Sequence, residues 1–257
     1  MPPIRLISWN VNGIRAAEKK GFLDWLSDSQ ADVVAIQETK AHPDQLSARL
    51  LAPPGYQAEW CSAEKKGYSG VCTYTRLPVV KTTAGLGETR FDSDGRTLIT
   101  EFERFVLFNI YFPNGGRGPE WVTHKLAFYR HFLTVAKKYM NKGRSVVVTG
   151  DVNTSYAEID LARPKENVKQ SGFMPEERAG LGEFFQAGLI DTFRHKYPDR
   201  VGYTWWNQVT RARERNVGWR LDYFFVSPDL KDKVIEAEIH PDVMGSDHCP
   251  ISLTLDL

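Results

Sequence analysis

Apolar residues fall into short runs along this chain, separated by compact clusters of turn-forming residues such as Pro53-Pro54-Gly55, Pro113-Asn114-Gly115-Gly116 and Ser246-Asp247-His248. The runs predict strands at Ile4–Trp9, Asp32–Gln37, Ser69–Thr75, Arg96–Glu103, Phe105–Phe112, Ser145–Thr149, Leu221–Val226 and Ile251–Leu255. Several are almost continuously apolar, as strands covered on both faces are. Two segments follow the helical period instead. Val122, Leu126, Tyr129, Leu133, Ala136 and Met140 are spaced 4, 3, 4, 3 and 4 residues apart, which is one stripe of a helix, and Gly143 stands where the helix would stop. A second helix is predicted over Pro175–Ala187, where Pro175-Glu176-Glu177 makes a favourable first turn.

Strands and helices alternate irregularly, with hairpins among them, which fits an α/β layered fold with mixed sheets better than a regular βαβ array. Leu6-Ile-Ser-Trp-Asn10-Val-Asn12 is echoed by Val147-Val-Thr-Gly-Asp151-Val-Asn153, either as a two-fold repeat of one supersecondary unit or by coincidence. No linker or low-complexity run splits the 257 residues, so residues 1–257 are expected to form a single domain. Apolar residues at 42 % and charged residues at 25 % exclude a disordered or fibrous chain. No run of about 18 apolar residues predicts a membrane span. The N-terminus lacks the order of a signal peptide, and the three scattered cysteines form no CxxC pair, so a reducing cytoplasm is expected. Net charge is only +1, less basic than is usual for a polyanion binder, which suggests that something besides side chains manages negative charge.

Polar residues gather at the ends of predicted strands. Asn10 and Asn12 follow the first strand, Glu38 the second, and Asp151 and Asn153 the run Val146–Gly150, while Asp247 and His248 precede the last. If the chain stays extended there, Asn10/Asn12 and Asp151/Asn153 each point two oxygen-bearing groups to one side. Ligand sites gather at strand ends in sheet proteins, and hard oxygen donors without clustered Cys or His favour Mg²⁺ or Mn²⁺ over zinc. Taken singly, Glu38 reads as a surface or capping group, Asp247 as half of an ion pair, and Cys249 as a small core residue.

In combination these motifs resemble the exonuclease III family of apurinic/apyrimidinic (AP) endonucleases. The likeness is carried by Ser8-Trp-Asn-Val-Asn-Gly-Ile-Arg15, Gln37-Glu-Thr-Lys40, Lys66-Gly-Tyr-Ser-Gly70, Asn109-Ile-Tyr-Phe-Pro-Asn114, Gly150-Asp-Val-Asn153, Glu158-Ile-Asp-Leu-Ala-Arg-Pro-Lys165, Asn216-Val-Gly-Trp-Arg-Leu-Asp222 and Gly245-Ser-Asp-His-Cys-Pro250. It implies a four-layered α/β sandwich, in which two mixed β-sheets pack face to face and are flanked by helices. It also implies Mg²⁺-dependent cleavage of duplex DNA on the 5′ side of abasic sites, leaving a 3′-hydroxyl and a 5′-deoxyribose phosphate, with trimming of damaged 3′ ends. Base excision repair by a monomer, with no membrane partner, follows from the same likeness. By the same token Glu38 would be the principal metal ligand, with Asn10, Asp151, Asn153 and Asp247 in or near the metal shell. Asp151 would position or deprotonate the attacking water, Asn153 would hold the phosphate, and Tyr111 and Asp222 would orient or protonate groups near the leaving oxygen. Asp247 would steer His248 onto the phosphate. One or two divalent ions answer the physical difficulty that an anionic diester repels hydroxide.

The resemblance also places Arg15, Lys40, Tyr68, Asn114 and Arg117 along the DNA. Trp205, Trp219 and Leu221 would line a small apolar pocket for a sugar that has lost its base. Val209 stands where some relatives carry a longer Met that wedges into the helix. By composition alone the tryptophans would read as core. The basic groups Lys19-Lys20, Lys65-Lys66 and Arg211/Arg213/Arg215 would read as solvated surface, or by resemblance as loops that flank the cleft. Inositol-polyphosphate phosphatases, sphingomyelinases, deadenylases and general DNases share the implied fold. Lys66–Gly70, Arg163-Pro164-Lys165 and Gly218–Asp222 favour the AP-endonuclease type. A non-catalytic DNA-binding protein on this scaffold would be expected to lack Glu38, Asp151 or His248, and all three are present.

Overall fold

A computed structural model describes residues 2–257. Fourteen strands are described: β1 (Ile4–Asn10), β2 (Val33–Gln37), β3 (Gln57–Cys61), β4 (Val71–Thr75), β5 (Lys81–Ala84), β6 (Thr97–Glu101), β7 (Val106–Ile110), β8 (Val146–Asp151), β9 (Ile190–Asp191), β10 (Trp205–Trp206), β11 (Gly218–Trp219), β12 (Asp222–Val226), β13 (Val234–Ile239) and β14 (Ile251–Leu255). They build two six-stranded mixed sheets, ordered β13-β14-β1-β2-β4-β3 and β5-β6-β7-β8-β12-β9, and a β10-β11 hairpin. β1 and β2 pack across β8, and β4 packs across β6 and β7.

Three apolar clusters define four layers. Leu6, Val33, Leu107, Val147, Val226 and Leu253 fill the space between the sheets. Ile7, Trp9, Val34 and Ile36 turn the other way, onto Ile14, Ala17, Phe22 and Leu26 of two short helices (Ile14–Lys19 and Phe22–Asp28). Val106, Phe108, Val146 and Val148 meet Phe128, Phe132 and Leu133 of the helix Pro119–Met140, and Leu181 and Phe184 of the helix Pro175–Gln186. Each fully buried Phe or Leu here contributes about 1.5–3 kcal/mol of transfer free energy. The four-layered sandwich expected from the resemblance is what the chain forms.

The echo between the two strand–turn units has a counterpart in the sheets. β1 pairs parallel with β2 and antiparallel with β14, and β8 pairs parallel with β7 and antiparallel with β12. Chain order differs, since β1 precedes its parallel neighbour and β8 follows its own. The likeness is one of strand orientation, not of a repeated chain segment.

Three details depart from the sequence expectations. The strand expected from Ser69 begins at Val71, because Ser69 (φ 47°) and Gly70 (φ 87°) are left-handed and break the extended run. β8 continues past Thr149 to Asp151, and Gly150 permits it: a Cβ there would lie 1.8 Å from the carbonyl oxygen of Ile110. The core face of the long helix is centred on Val122, Lys125, Phe128, Tyr129, Phe132, Leu133 and Ala136. Leu126, expected in the core stripe, is half-buried against Gly180 of the second helix.

The inter-sheet face changes character along its length. Residues alternate across a strand with period 2, so Leu6-Ser8-Asn10, Val33-Ala35-Gln37, Leu107-Asn109-Tyr111 and Val147-Thr149-Asp151 each list one face of a strand. All four run from apolar to polar in the same direction, and antiparallel β12 matches them in reverse as Val226-Phe224-Asp222. One end of the sandwich interior is therefore polar. Buried Gln37 Nε2 donates to Ser8 Oγ at 3.0 Å and to Asn109 Oδ1 at 2.8 Å, and Asn109 Nδ2 donates to the Cys72 carbonyl at 2.8 Å.

Candidate active site

At that polar end the chain leaves β1 and β8 through the same device. The Asn12 backbone N–H donates to Asn10 Oδ1 at 3.0 Å, and the Asn153 N–H donates to Asp151 Oδ1 at 2.8 Å. Asn12 (φ 49°) and Asn153 (φ 56°) are both left-handed, a conformation Asn tolerates better than most residues. These are Asx turns, so the expectation that the chain stays extended there is corrected: the backbone becomes left-handed at the second residue of each pair, although Asn153 still lies beside Asp151 at the cavity. The two turns meet where Asn10 Nδ2 donates to Asp151 Oδ2 at 2.9 Å.

Three buried groups face one another next to this junction. His248 Nδ1 donates to Asp222 Oδ2 at 2.8 Å, and His248 Nε2 lies 3.7 Å from Asp151 Oδ2. Asp222 is the register partner of Asp151 between β12 and β8. Burial alone would discharge the imidazolium, but the Asp222 and Asp151 carboxylates outweigh it and raise His248 from 6.5 to about 10. Asp151 is raised from 3.8 to about 7, chiefly by burial, with Asp222 and Glu38 adding to the effect and His248 opposing it. Asp222 Oδ1 is buried without a hydrogen-bond partner.

The expected steering of His248 by Asp247 is not what the structure has. Asp247 Oδ1 accepts from Asn12 Nδ2 at 2.8 Å, and Oδ2 accepts from Trp205 Nε1 at 3.1 Å. The chain bends through Gly245–Asp247, with the His248 N–H donating back to Ser246 Oγ at 3.2 Å, so Asp247 turns to the tryptophan while His248 turns to Asp222. Asp222 accordingly orients the imidazole that borders the cavity, one of the two parts, orienting or protonating, that the resemblance implies for it.

The cavity holds about 630 Å³, and it is bordered by the polar Glu38, Tyr111, Asn114, Asp151, Asn153, Asp247 and His248 and by the apolar Trp205, Trp219 and Leu221. Glu38 is left-handed (φ 57°) and its carboxylate lies 3.1 Å from Lys40 Nζ. Burial and the nearby Glu38 and Asp151 charges hold the Tyr111 phenol well above its ordinary range, so it is a proton donor at neutral pH. Asn153 Nδ2 donates to the Phe112 carbonyl at 2.9 Å and weakly to Asp151 at 3.3 Å, while its Oδ1 accepts from Asn114 at 2.8 Å. Asn10 is fully buried behind this wall with its oxygen committed to the Asx turn.

Arg15 is exposed on its short helix, Tyr68 is half-buried, and Arg117 is exposed with its guanidinium 4.8 Å from the Trp121 ring and 5.8 Å from that of Tyr68. Val209 is 94 % exposed on the loop whose Asn207 and Thr210 border the cavity. Arg213 does something other than flank a cleft: it stacks on Trp206 at 4.6 Å and donates to the carbonyls of Ser246 and Val243, holding the loop that carries Asp247.

Several residues at the site carried no expectation. Arg96 is buried between Tyr68 and Tyr111, donating to the Tyr68 hydroxyl at 2.6 Å and to the Tyr111 carbonyl at 3.3 Å. Nothing in its sequence position, ahead of a strand, signals this. Asn167 and Gln170 also line the cavity, and they are joined there by Arg163 and Arg215, which the sequence had singled out in a motif and in a basic group.

A divalent cation suits the donor set. Glu38 and Asp151 bring two carboxylate charges near the same phenol, burial pushes Asp151 towards protonation, and a positive ion is what would reverse that shift. Asp151, Asp222 and His248 offer donor atoms within 4.8 Å of one another, but the imidazole is already paired to Asp222. Oxygen donors thus dominate, as Mg²⁺ or Mn²⁺ requires.

Two facing mixed sheets, with a carboxylate, amide and Asp–His constellation at their shared polar end, define a metal-assisted hydrolase of phosphate esters. The Endonuclease/Exonuclease/phosphatase family matches residues 7–248, and the chain belongs to it. It is an enzyme of the nuclease kind. It is 40 % identical to an exodeoxyribonuclease of Bacillus subtilis, over 99 % of this chain and 100 % of the relative. It is 39 % identical to the DNA repair nuclease APEX1 of Danio rerio, over 98 % and 82 % respectively. Among solved structures, the AP endonuclease LMAP of Leishmania major superposes with a TM-score of 0.91 at 31 % identity, covering 99 % of this chain and 88 % of that one. Among the described residues no helix is long and apolar enough to cross a membrane.

Proposed function

We propose that this protein is a Mg²⁺-dependent DNA repair nuclease that cuts the phosphodiester 5′ to abasic sites in duplex DNA. It leaves a 3′-hydroxyl and a 5′-deoxyribose phosphate, and it trims damaged 3′ ends, within base excision repair. Residues 1–257 act as one catalytic unit, as a monomer in the cytoplasm. The observation that carries this reading is the sharing of one cavity by an apolar wall and an ionisable wall. Trp205, Trp219 and Leu221 offer a surface suited to a bare sugar, beside Glu38, Asp151, Tyr111 and His248.

Glu38 and Asp151 would hold the cation, with Asn10 orienting Asp151 from behind and Asp247 and Asn153 outside the direct shell. The bound ion supplies charge neutralisation at the phosphate and a water of lowered pKa. Asp151 would orient the attacking water and accept its proton. His248, kept charged by Asp222, donates to a phosphate oxygen. Asn153 exchanges its weak 3.3 Å contact with Asp151 for a phosphate oxygen. Tyr111, held protonated, donates beside the ester. Arg15, Lys40, Tyr68, Asn114 and Arg117 hold the backbone, and the exposed Val209 meets the helix at the lesion.

The test is an end-labelled duplex with one abasic-site analogue, incubated with Mg²⁺ and then with EDTA. A single metal-dependent cut 5′ to the lesion, ending in a 3′-hydroxyl, is the expected result. Well-folded protein that leaves the lesion intact would refute the assignment and direct attention to inositol phosphates and single-stranded RNA.

A further inference from the structure

Lys125 lies in the apolar stripe of the long helix, and its side chain is completely buried. Its ammonium reaches two oxygens from different segments: the carbonyl of Asn153 at 2.7 Å and Glu177 Oε1 at 2.8 Å. Glu177 is equally buried, and its carboxylate also accepts from Ser171 Oγ at 2.8 Å and from the backbone N–H groups of Gly172 at 2.5 Å and Met174 at 3.3 Å. Gly172 in turn lines the cavity beside Trp219, since a Cβ there would meet the Asn153 carbonyl at 3.2 Å and the Trp219 ring at 3.3 Å.

The Asn153 contact belongs to a series. Tyr129 donates its hydroxyl to the Val152 carbonyl at 2.6 Å, Lys125 binds the Asn153 carbonyl, and Tyr223 donates to the Thr154 carbonyl at 2.9 Å. Three successive carbonyls after β8 are each held by a buried side chain. The middle one belongs to a left-handed residue. A buried ion pair is seldom the most stabilising way to fill a core, since apolar side chains of similar volume often do as well. An ammonium, however, can bind a carbonyl and a carboxylate at once, which no apolar side chain can do.

We propose that Lys125, paired with Glu177, is a positioning residue that fixes the Asn153 amide at the cavity wall and ties it to the Ser171–Gly172 segment beside Trp219. The inference rests on the proposed nuclease function. Lys125 never touches the substrate; it acts through Asn153.

A double-mutant cycle tests this. Lys125→Met with Glu177→Gln removes both charges together and leaves no unpaired ion. Single-turnover cutting of the abasic duplex at saturating protein is expected to slow at least about tenfold. DNA affinity in EDTA should change by less than about threefold, with the protein folded well above the assay temperature. In an Asn153→Ala background the same two changes should alter the rate by less than about threefold, because the group they position is already gone. An unchanged rate in the first background, or an equal loss in both, would overturn the proposal. Should the paired variant not fold, Lys125→Gln with Glu177→Gln, which also leaves no unpaired ion and keeps polar groups in the same space, enters the same cycle and is held to the same criterion of coupling to Asn153. Failure of the unaltered protein to cut the duplex would instead count against the proposed function.

Discussion

Replacing Asp222 by Asn keeps the volume of the side chain and removes only the charge that faces His248. In the intact site burial opposes the imidazolium, yet Asp222 at 2.8 Å and Asp151 at 3.7 Å hold its pKa near about 10. A raised histidine pKa means that the charge persists up to that value and is lost as pH rises through it. His248 is therefore protonated across the neutral range. Without the carboxylate, burial is opposed mainly by Asp151, and the group returns to about 6.5. At pH 8 the charged fraction then drops from nearly complete to about 3 %, and at pH 6 it stays above about half. If a phosphate oxygen needs that charge, the variant should lose about 30-fold in rate at pH 8 and little at pH 6. The assay is single-turnover cutting of an abasic duplex between pH 6 and 9, paired with an NMR titration of the His248 ring in metal-free protein. A variant-to-parent ratio that does not vary with pH, or an intact protein whose His248 is neutral at pH 8, would refute the reasoning.

Glu38→Gln should weaken Mg²⁺ and Mn²⁺ binding at least about tenfold in titration calorimetry, since it removes one of two carboxylates at the metal position; unchanged affinity would move the ion elsewhere. Trp219→Ala should lower cutting of the abasic duplex more than about tenfold while DNA affinity in EDTA falls far less, because the wall it removes is sensed only by an extruded sugar. Asp160→Asn tests the support beneath that wall, where burial disfavours the Asp160 carboxylate but Arg220 and Arg194, at 2.8 and 2.6 Å, outweigh it and hold its pKa below the ordinary value. The charge therefore stabilises the fold fully above the unfolded carboxylate range and ceases to as pH falls through the folded value. The variant should be about 3–5 kcal/mol less stable near neutrality, with the difference in calorimetric Tm shrinking below about pH 4.

Legibility in the sequence followed burial. All eight expected strands exist, because each presents apolar residues to a layer on either side. The strands that escaped notice are short or lie at edges. β5 is Lys-Thr-Thr-Ala with no buried residue, β3 is mostly half-exposed, and the bulge between Val234 and Glu236 disrupts the alternation of β13. The site residues were legible as polar groups at the ends of apolar runs. Their pairings were not, because pairing depends on register. Asp222 reaches His248 because β12 sets Asp222 opposite Asp151, a relation that no spacing along the chain expresses. Lys125 was hidden for the opposite reason: a lysine among apolar residues reads as a solvated side chain until the second helix brings Glu177 to it.

The polar end of the sandwich explains how a chain of net charge +1 can address a polyanion. Asp151, Asp222, His248, Lys125, Glu177 and Arg96 are all buried, and each is neutralised or hydrogen-bonded by a neighbour within the fold. Such groups are costly in isolation and rigid in a network, since each fixes the orientation of the next. The apolar inter-sheet cluster at the other end of the same strands supplies stability that does not depend on the network. Alternation along each strand is what joins the two regions. Leu6, Val33, Leu107 and Val147 pack the sheets together, and two steps of the same period carry the chain to Asn10, Gln37, Tyr111 and Asp151 without changing face. The position of the polar groups at the cavity end is therefore set by the register of the core. A one-residue slip of β8 against β7 or β12 would turn Asp151 away from His248 while leaving every run in the sequence as apolar as before.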